Sequence, residues 1–212
     1  MKTVAALLVC LLLGLPAQAQ KPLRIKFTDP GVFGVGIRTA AGLSISDSAL
    51  RVSEGGGVQA RLMVLQRLNT EWYAEWLRGG FSDAAYRTDV HLGLNTLLYF
   101  QRRLQRVAPF VLTGIAADAL TLHNRLTARH RTSSWTTALQ GGIGFHINLT
   151  WRSDLTVSAA YQHHLSHQAI LQTEESILAQ VPRSGRTGDG HLLVTLSMNY
   201  KITDLWKTLK FR

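Results

Sequence analysis

Cysteine is almost missing from this chain. There is one, Cys10, inside the N-terminal apolar run, so the sequence beyond it offers no disulfide framework and no thiolate chemistry. Charge is also sparse: Asp, Glu, Lys and Arg make up 17% of residues, against roughly 25% in soluble domains. No run after the N-terminus approaches the ~18 consecutive apolar residues of a transmembrane helix. Acidic residues are the scarcest charged class, with 13 Asp+Glu against 23 Lys+Arg and a formal net charge of +10. A basic surface of that kind favours nucleic acid, anionic lipid or lipopolysaccharide phosphates.

The N-terminus decides among these. It reads M-K-T-V-A-A-L-L-V-C-L-L-L-G-L-P-A-Q-A-Q. Lys2, the apolar run from Val4 to Leu15, the break at Pro16 and the A-x-A of Ala17 to Ala19 form an export signal, with cleavage expected after Ala19. Cys10 follows Val9 rather than a small residue, so it is not a lipidation site. Residues 1–19 are therefore read as a signal peptide and 20–30 as a short periplasmic lead-in. Export argues against nucleic acid as a partner. Without a helical anchor it leaves the periplasm, the exterior or an outer-membrane barrel.

What the sequence does have is alternation. In His191–Ile202, Leu192, Val194, Leu196, Met198, Tyr200 and Ile202 are apolar, while all of the intervening residues but Leu193 are polar. A period of two is the mark of a strand between unlike phases. Seven earlier stretches show a related pattern, at 31–39, 57–68, 71–79, 87–100, 109–120, 135–148 and 154–164. Long loops are expected at 40–56, 121–134 and 165–189, a shorter one at 80–86, and tight turns at 69–70, 101–108 and 149–153. The even count, the near-alternation of long and short connections and strand lengths near the 9–11 or so residues of a tilted span predict an all-β, eight-stranded antiparallel transmembrane up-and-down β-barrel over 31–202, with a periplasmic tail at 203–212.

A soluble lipocalin-like barrel would alternate too, with its apolar row inward. The polar row argues for the opposite phase. It carries Arg61, Arg67, Glu71, Glu75, Asp89 and Asp118, with His91 and His146, a set suited to a polar lumen. Aromatic residues on or beside the apolar row fall near strand ends. Trp72, Phe100, Trp151 and Tyr200 are expected at one rim, Tyr86, Trp135 and Tyr161 at the other, as in interfacial girdles. Trp76 falls nearer mid-strand.

The stretches P-F-V-L-T-G-I-A at 109–116 and G-G-I-G-F-H-I-N-L-T-W-R-S-D-L-T-V-S-A-A-Y at 141–161 look like strand-turn-strand hairpins of a known class. On them the chain resembles the small eight-stranded outer-membrane β-barrel proteins, the OmpA/OmpX/OmpW-like superfamily. The last strand, ending at Tyr200-Lys-Ile, is similar to the terminal strand read by the barrel-assembly machinery, although ten residues follow it. The resemblance implies an architecture and an outer-membrane address rather than a task.

Y-Q-H-H-L-S-H-Q-A at 161–169 is similar to the His-x-Ser-Asn-Ala stretch of lipid A deacylases. That resemblance implies His164 as base and Ser166 as nucleophile. His167 stands where the family has Asn. The family's later Glu is replaced by Leu178, with Glu174 and Glu175 nearer. His164 is also in the lumenal phase, whereas such an enzyme works from its outer wall. His91 and His146 share the lumen but lack a third ligand at a convincing spacing, so no metal and no cofactor is expected. Arg51, Arg125, Arg129, Arg131, Arg183 and Arg186, with His123 and His130, populate the expected external loops and could meet lipopolysaccharide phosphates. The expected function is a non-catalytic outer-membrane barrel with a structural or surface-interaction role through its loops, in contact with outer-membrane lipid and lipopolysaccharide. A deacylase-like hydrolase and a narrow pore or small-solute binder are the alternatives.

Overall fold

The computed structural model describes residues 30–46, 49–82, 85–100, 106–124, 131–165 and 190–206. The strands are β1 (Val32–Ser46), β2 (Ala49–Leu65), β3 (Leu68–Ser82), β4 (Ala85–Tyr99), β5 (Val107–Asn124), β6 (Arg131–Asn148), β7 (Ser153–His164) and β8 (Gly190–Asp204). Each pairs with its sequence neighbours, and β8 pairs antiparallel with β1, so the sheet closes into an eight-stranded barrel. Ile37 lies opposite Met198, and Leu43 opposite Leu192. Closure gives every strand two partners and removes the exposed edge that an open sheet would present.

The wall is inside-out. Ile37, Val58, Leu92, Ile115, Ile143, Leu196 and Ile202 are exposed on its outer face. Arg38, Glu75, His91, Asp118, Gln140, Asn148 and Lys201 are buried in its lumen. On β8 the outer row runs from Leu192 to Ile202, about 33 Å along a strand at ~3.3 Å per residue. At a tilt near 40° this is a height of roughly 25 Å, the thickness of the apolar band on a membrane barrel. Water would leave this row exposed with no compensating core, so the physically consistent surroundings are hydrocarbon.

Several strands outrun their expected bounds. The segment 40–56, read from its Ser and Gly content as a loop, is mostly strand: β1 continues to Ser46 and β2 resumes at Ala49, with Ala40 opposite Gly55 and Ser44 opposite Arg51. Backbone pairing within a closed barrel does not need large side chains, and the small inward ones make room for Leu77 and Leu193, which pack with Ala40. For the same reason β5 and β6 continue through much of the expected loop 121–134. The turn expected at Asn69-Thr70 is at Gln66-Arg67 instead, and Asn69 and Thr70 are paired within β3. Thr203 and Asp204, expected in the tail, belong to β8.

Gly31 marks the entrance. Its φ of 101° is open to glycine and strained for other residues. Its N–H donates to Met63 O at 2.7 Å and its carbonyl accepts from Leu205 N at 2.8 Å. The chain thus enters and leaves the barrel at one point, which we call the terminal end.

Candidate functional site

Among the described residues the buried charged and histidine side chains gather in the lumen, and they are organised in levels. Nearest the terminal end, Arg61 donates from Nε and Nη2 to Glu71 Oε2 at 3.1 and 2.6 Å. Its Nη1 donates to His146 Nδ1 at 2.8 Å and lies 3.4 Å from Asp154 Oδ1. That donation makes Nδ1 the acceptor nitrogen of His146 and leaves Nε2, 3.3 Å from Asp154 Oδ2, to carry the proton. Lys201 Nζ lies 3.8 Å from Asp154 Oδ2 and donates to Asn148 Oδ1 at 2.8 Å. Asn199 donates to Asp154 Oδ1 at 2.9 Å and accepts from Gln59 Nε2 at 2.6 Å. Beside this network stands an apolar cluster of Leu97, Tyr99, Ala108, Phe110, Leu112 and Ala160.

At mid-height Arg38 Nε is 2.8 Å from Glu75 Oε2 and Nη1 is 3.6 Å from Glu71 Oε1. The Nε contact is a charge contact, with its N–H off the hydrogen-bond line. The guanidinium also stacks 4.1 Å from the centre of the Tyr73 ring. Tyr73 Oη donates to Gln140 Oε1 at 3.0 Å, and Gln140 Nε2 donates to Asn95 Oδ1. Two lumenal aromatics rest on glycine. Tyr73 lies directly across from Gly93 and Phe110 across from Gly144, and a Cβ on either glycine would overlap the ring.

Toward the other end the lumen is rich in histidine. His91 Nδ1 is 3.0 Å from Glu75 Oε1. Its ring stacks on that of His191 with centroids 5.6 Å apart, and the rings of His191 and His164 are 5.4 Å apart. His164 Nδ1 faces Asp118 Oδ2 and Thr136 Oγ1, both at 3.3 Å, and Asp118 accepts two contacts from Gln162 Nε2 at 3.0 and 2.8 Å. Asp89 pairs with Arg87 Nε at 2.7 Å.

Of the residues expected in the lumen, Arg61, Glu71, Glu75, Asp89, His91, Asp118 and His146 are buried there. Arg67 is not: it sits in the exposed turn between β2 and β3, because the strand ends three residues earlier than its alternation suggested. His91 and His146 stand in different levels and do not meet. Among the described residues no three His, Cys, Asp or Glu side chains already converge to hold a metal. Trp72, Trp135, Trp151, Tyr161, Tyr200 and, just past β4, Phe100 are exposed on the outside. Arg152 Nη1 donates to Tyr200 Oη at 3.0 Å and the guanidinium covers Trp151 at 4.1 Å.

Of the loop cations, Arg51, His123 and Arg131 fall at strand ends, while Arg125, Arg129, His130, Arg183 and Arg186 lie outside the described residues, as do Ser166 and residues 1–19. His164 is described and points inward, onto Asp118 and Thr136 rather than toward the outer wall. Sequence reasoning missed Asp154 as the hub of the lower network, although it heads the inner row of β7 in phase with Thr156 and Gln162. It also missed His191 as the partner of His164 and His91.

No protein-family model and no curated protein matches the sequence. Solved structures do match. Neisserial surface protein A is similar with a TM-score of 0.62 and 10% identity, over 80% of this chain and 97% of that one. A major outer membrane protein from Thermus thermophilus gives 0.53 and 12%, over 80% and 99%. Ail, the attachment invasion locus protein of Yersinia pestis, gives 0.50 and 13%, over 82% and 99%. At these identities the likeness is one of fold, and the fold of this chain is that of the small eight-stranded outer-membrane β-barrels.

Proposed function

We propose that this protein is an exported, non-conducting outer-membrane barrel that serves as a rigid carrier for the connections at the end opposite its termini. The observation that carries this reading is the filled lumen. Arg38, Arg61, Glu71, Glu75, Asp154 and Lys201 neutralise one another across the bore, and Phe110 and Tyr99 occupy the space beside them. A cavity near the terminal end, lined by Arg61, His146 and Lys201 among others, has a volume of about 30 Å³, room for about one water. Eight strands enclose little more than their own side chains, and here the charged ones are paired. With the bore closed, function falls to the surface.

In this reading the signal peptide ends at Ala19 and the terminal end faces the periplasm. The closing strand β8 is the segment that the barrel-assembly machinery engages. The basic connections at the far end meet lipopolysaccharide phosphates, where charge-assisted contacts from Arg are strongest. The inward direction of His164 speaks against a lipid-cleaving role.

The test is planar-bilayer recording on the refolded mature chain, alongside heat-modifiable gel migration. A folded, migrating barrel with no steady conductance is expected. Steady single-channel steps would overturn the closed-bore reading. A mass change in lipid A on expression, abolished by Ser166→Ala, would replace it with the hydrolase.

A further inference from the structure

The three histidines near the far end of the lumen do more than fill space. His164 comes from β7 and His191 from the neighbouring β8, and the curvature of the closed barrel brings His91 of β4 to them. Two of them are oriented as metal-binding histidines are, with one ring nitrogen turned to a carboxylate, an arrangement that sets the tautomer and makes the other nitrogen a better donor. His91 Nδ1 is held by Glu75 Oε1 at 3.0 Å, and His164 Nδ1 faces Asp118 Oδ2 at 3.3 Å. On His164 the opposite nitrogen is then the lone-pair bearer. His164 Nε2 lies 3.4 Å from His191 Nδ1. His91 Nε2 is buried without a hydrogen-bond partner among the described residues, on a ring stacked against His191; the nearest carboxylate oxygen to it, Asp118 Oδ1, is 3.9 Å away.

We propose that His164 Nε2 and His191 Nδ1 form a two-imidazole site for a borderline divalent transition metal, of the class of Zn²⁺, Cu²⁺ or Ni²⁺. Two nitrogens bound at about 2.0–2.1 Å to one tetrahedral ion stand roughly 3.3–3.4 Å apart, and the observed separation is 3.4 Å. Imidazole is the ligand type that suits these ions. In the metal-free protein His191 Nδ1–H is the donor to His164 Nε2, because the other proton of that pair of rings is on His164 Nδ1, facing Asp118. Metal binding replaces the shared proton. His191 takes its tautomer with the proton on Nε2, both facing nitrogens present lone pairs, and no net proton is released. Water completes the coordination. The site goes beyond the carrier role above and does not depend on it.

The test uses the mature chain, free of any histidine tag and refolded in detergent micelles. Calorimetric titration with Zn²⁺ is expected to give one ion per barrel, and Cu²⁺ loading an electron paramagnetic resonance signal split by imidazole nitrogens. His164→Ala and His191→Ala should each weaken binding at least tenfold, and Asp118→Asn by about 10- to 100-fold through the lost orientation of His164. His163→Ala, on the outer wall, should leave binding unchanged. Assembly of each variant is read from heat-modifiable migration. If His191→Ala does not assemble, His191→Phe keeps the ring volume and removes the ligand. No stoichiometric binding by the wild type, or binding that survives loss of both His164 and His191, overturns the proposal.

Discussion

Glu71→Ala tests the lumen network at the carboxylate that Arg61 and Arg38 share. Glu71 accepts two hydrogen bonds from Arg61, at 2.6 and 3.1 Å, and lies 3.6 Å from Arg38 Nη1. All three side chains are buried. Removing one partner of a buried pair leaves a charge without compensation and costs about 3–5 kcal/mol. Arg61 keeps Asp154 at 3.4 Å and Arg38 keeps Glu75 at 2.8 Å, which sets the expectation at the lower end, about 3 kcal/mol, or roughly a hundredfold in the unfolding equilibrium at 1.4 kcal/mol per factor of ten. Urea unfolding of the barrel in phospholipid vesicles measures it. The double variant Arg61→Met/Glu71→Met should be no less stable than Glu71→Ala, since apolar replacement of a whole buried pair is often neutral. A Glu71→Ala barrel within about 1 kcal/mol of wild type would refute the reasoning. It would mean that water, rather than Glu71, solvates Arg61.

Gly93→Val should prevent assembly, because its side chain would occupy the space of the Tyr73 ring; loss of the heat-modifiable species is the readout, and Gly93→Val with Tyr73→Ala should recover part of it. Arg67→Glu, at the exposed turn, should change stability by no more than about 0.5 kcal/mol in the same vesicle assay, where a lumenal arginine would not tolerate reversal. Trp72, Trp76 and Trp135 are exposed on the outer wall, so lipids brominated on the acyl chains should quench tryptophan emission strongly. Emission that responds to aqueous quenchers instead would place the apolar wall in water.

Much of the architecture was legible because a strand writes its two environments into alternate residues. The strand count, the inward phase of Glu71, Glu75, Asp89, His91 and Asp118, and the outward phase of Trp72 and Tyr200 follow from that period. Strand ends were less legible. Alternation fades where both faces carry small residues, as at Ala40–Gly42 and Gly55–Gly57, and there the pairing partner, not local propensity, keeps the chain extended. Arg67 was misplaced for a related reason: nothing local distinguishes the last inward residue from the first turn residue. Phe110 and Tyr99 break the polar-lumen rule: Phe110 finds its place over Gly144 of the neighbouring strand, and Tyr99 packs edge-on to it and accepts from Asn69.

The sequence by itself determined the phase of each strand, because one face must be apolar and the other polar whatever the strand pairs with. It also determined the number of strands, through the breaks between alternating runs. Which inner residues meet was decided only by the tertiary structure. Asp154 with Arg61, and His191 with both His164 and His91, are contacts across the bore or between neighbouring strands. They depend on the shear of the closed barrel, a property of the whole ring of hydrogen bonds that no single strand carries.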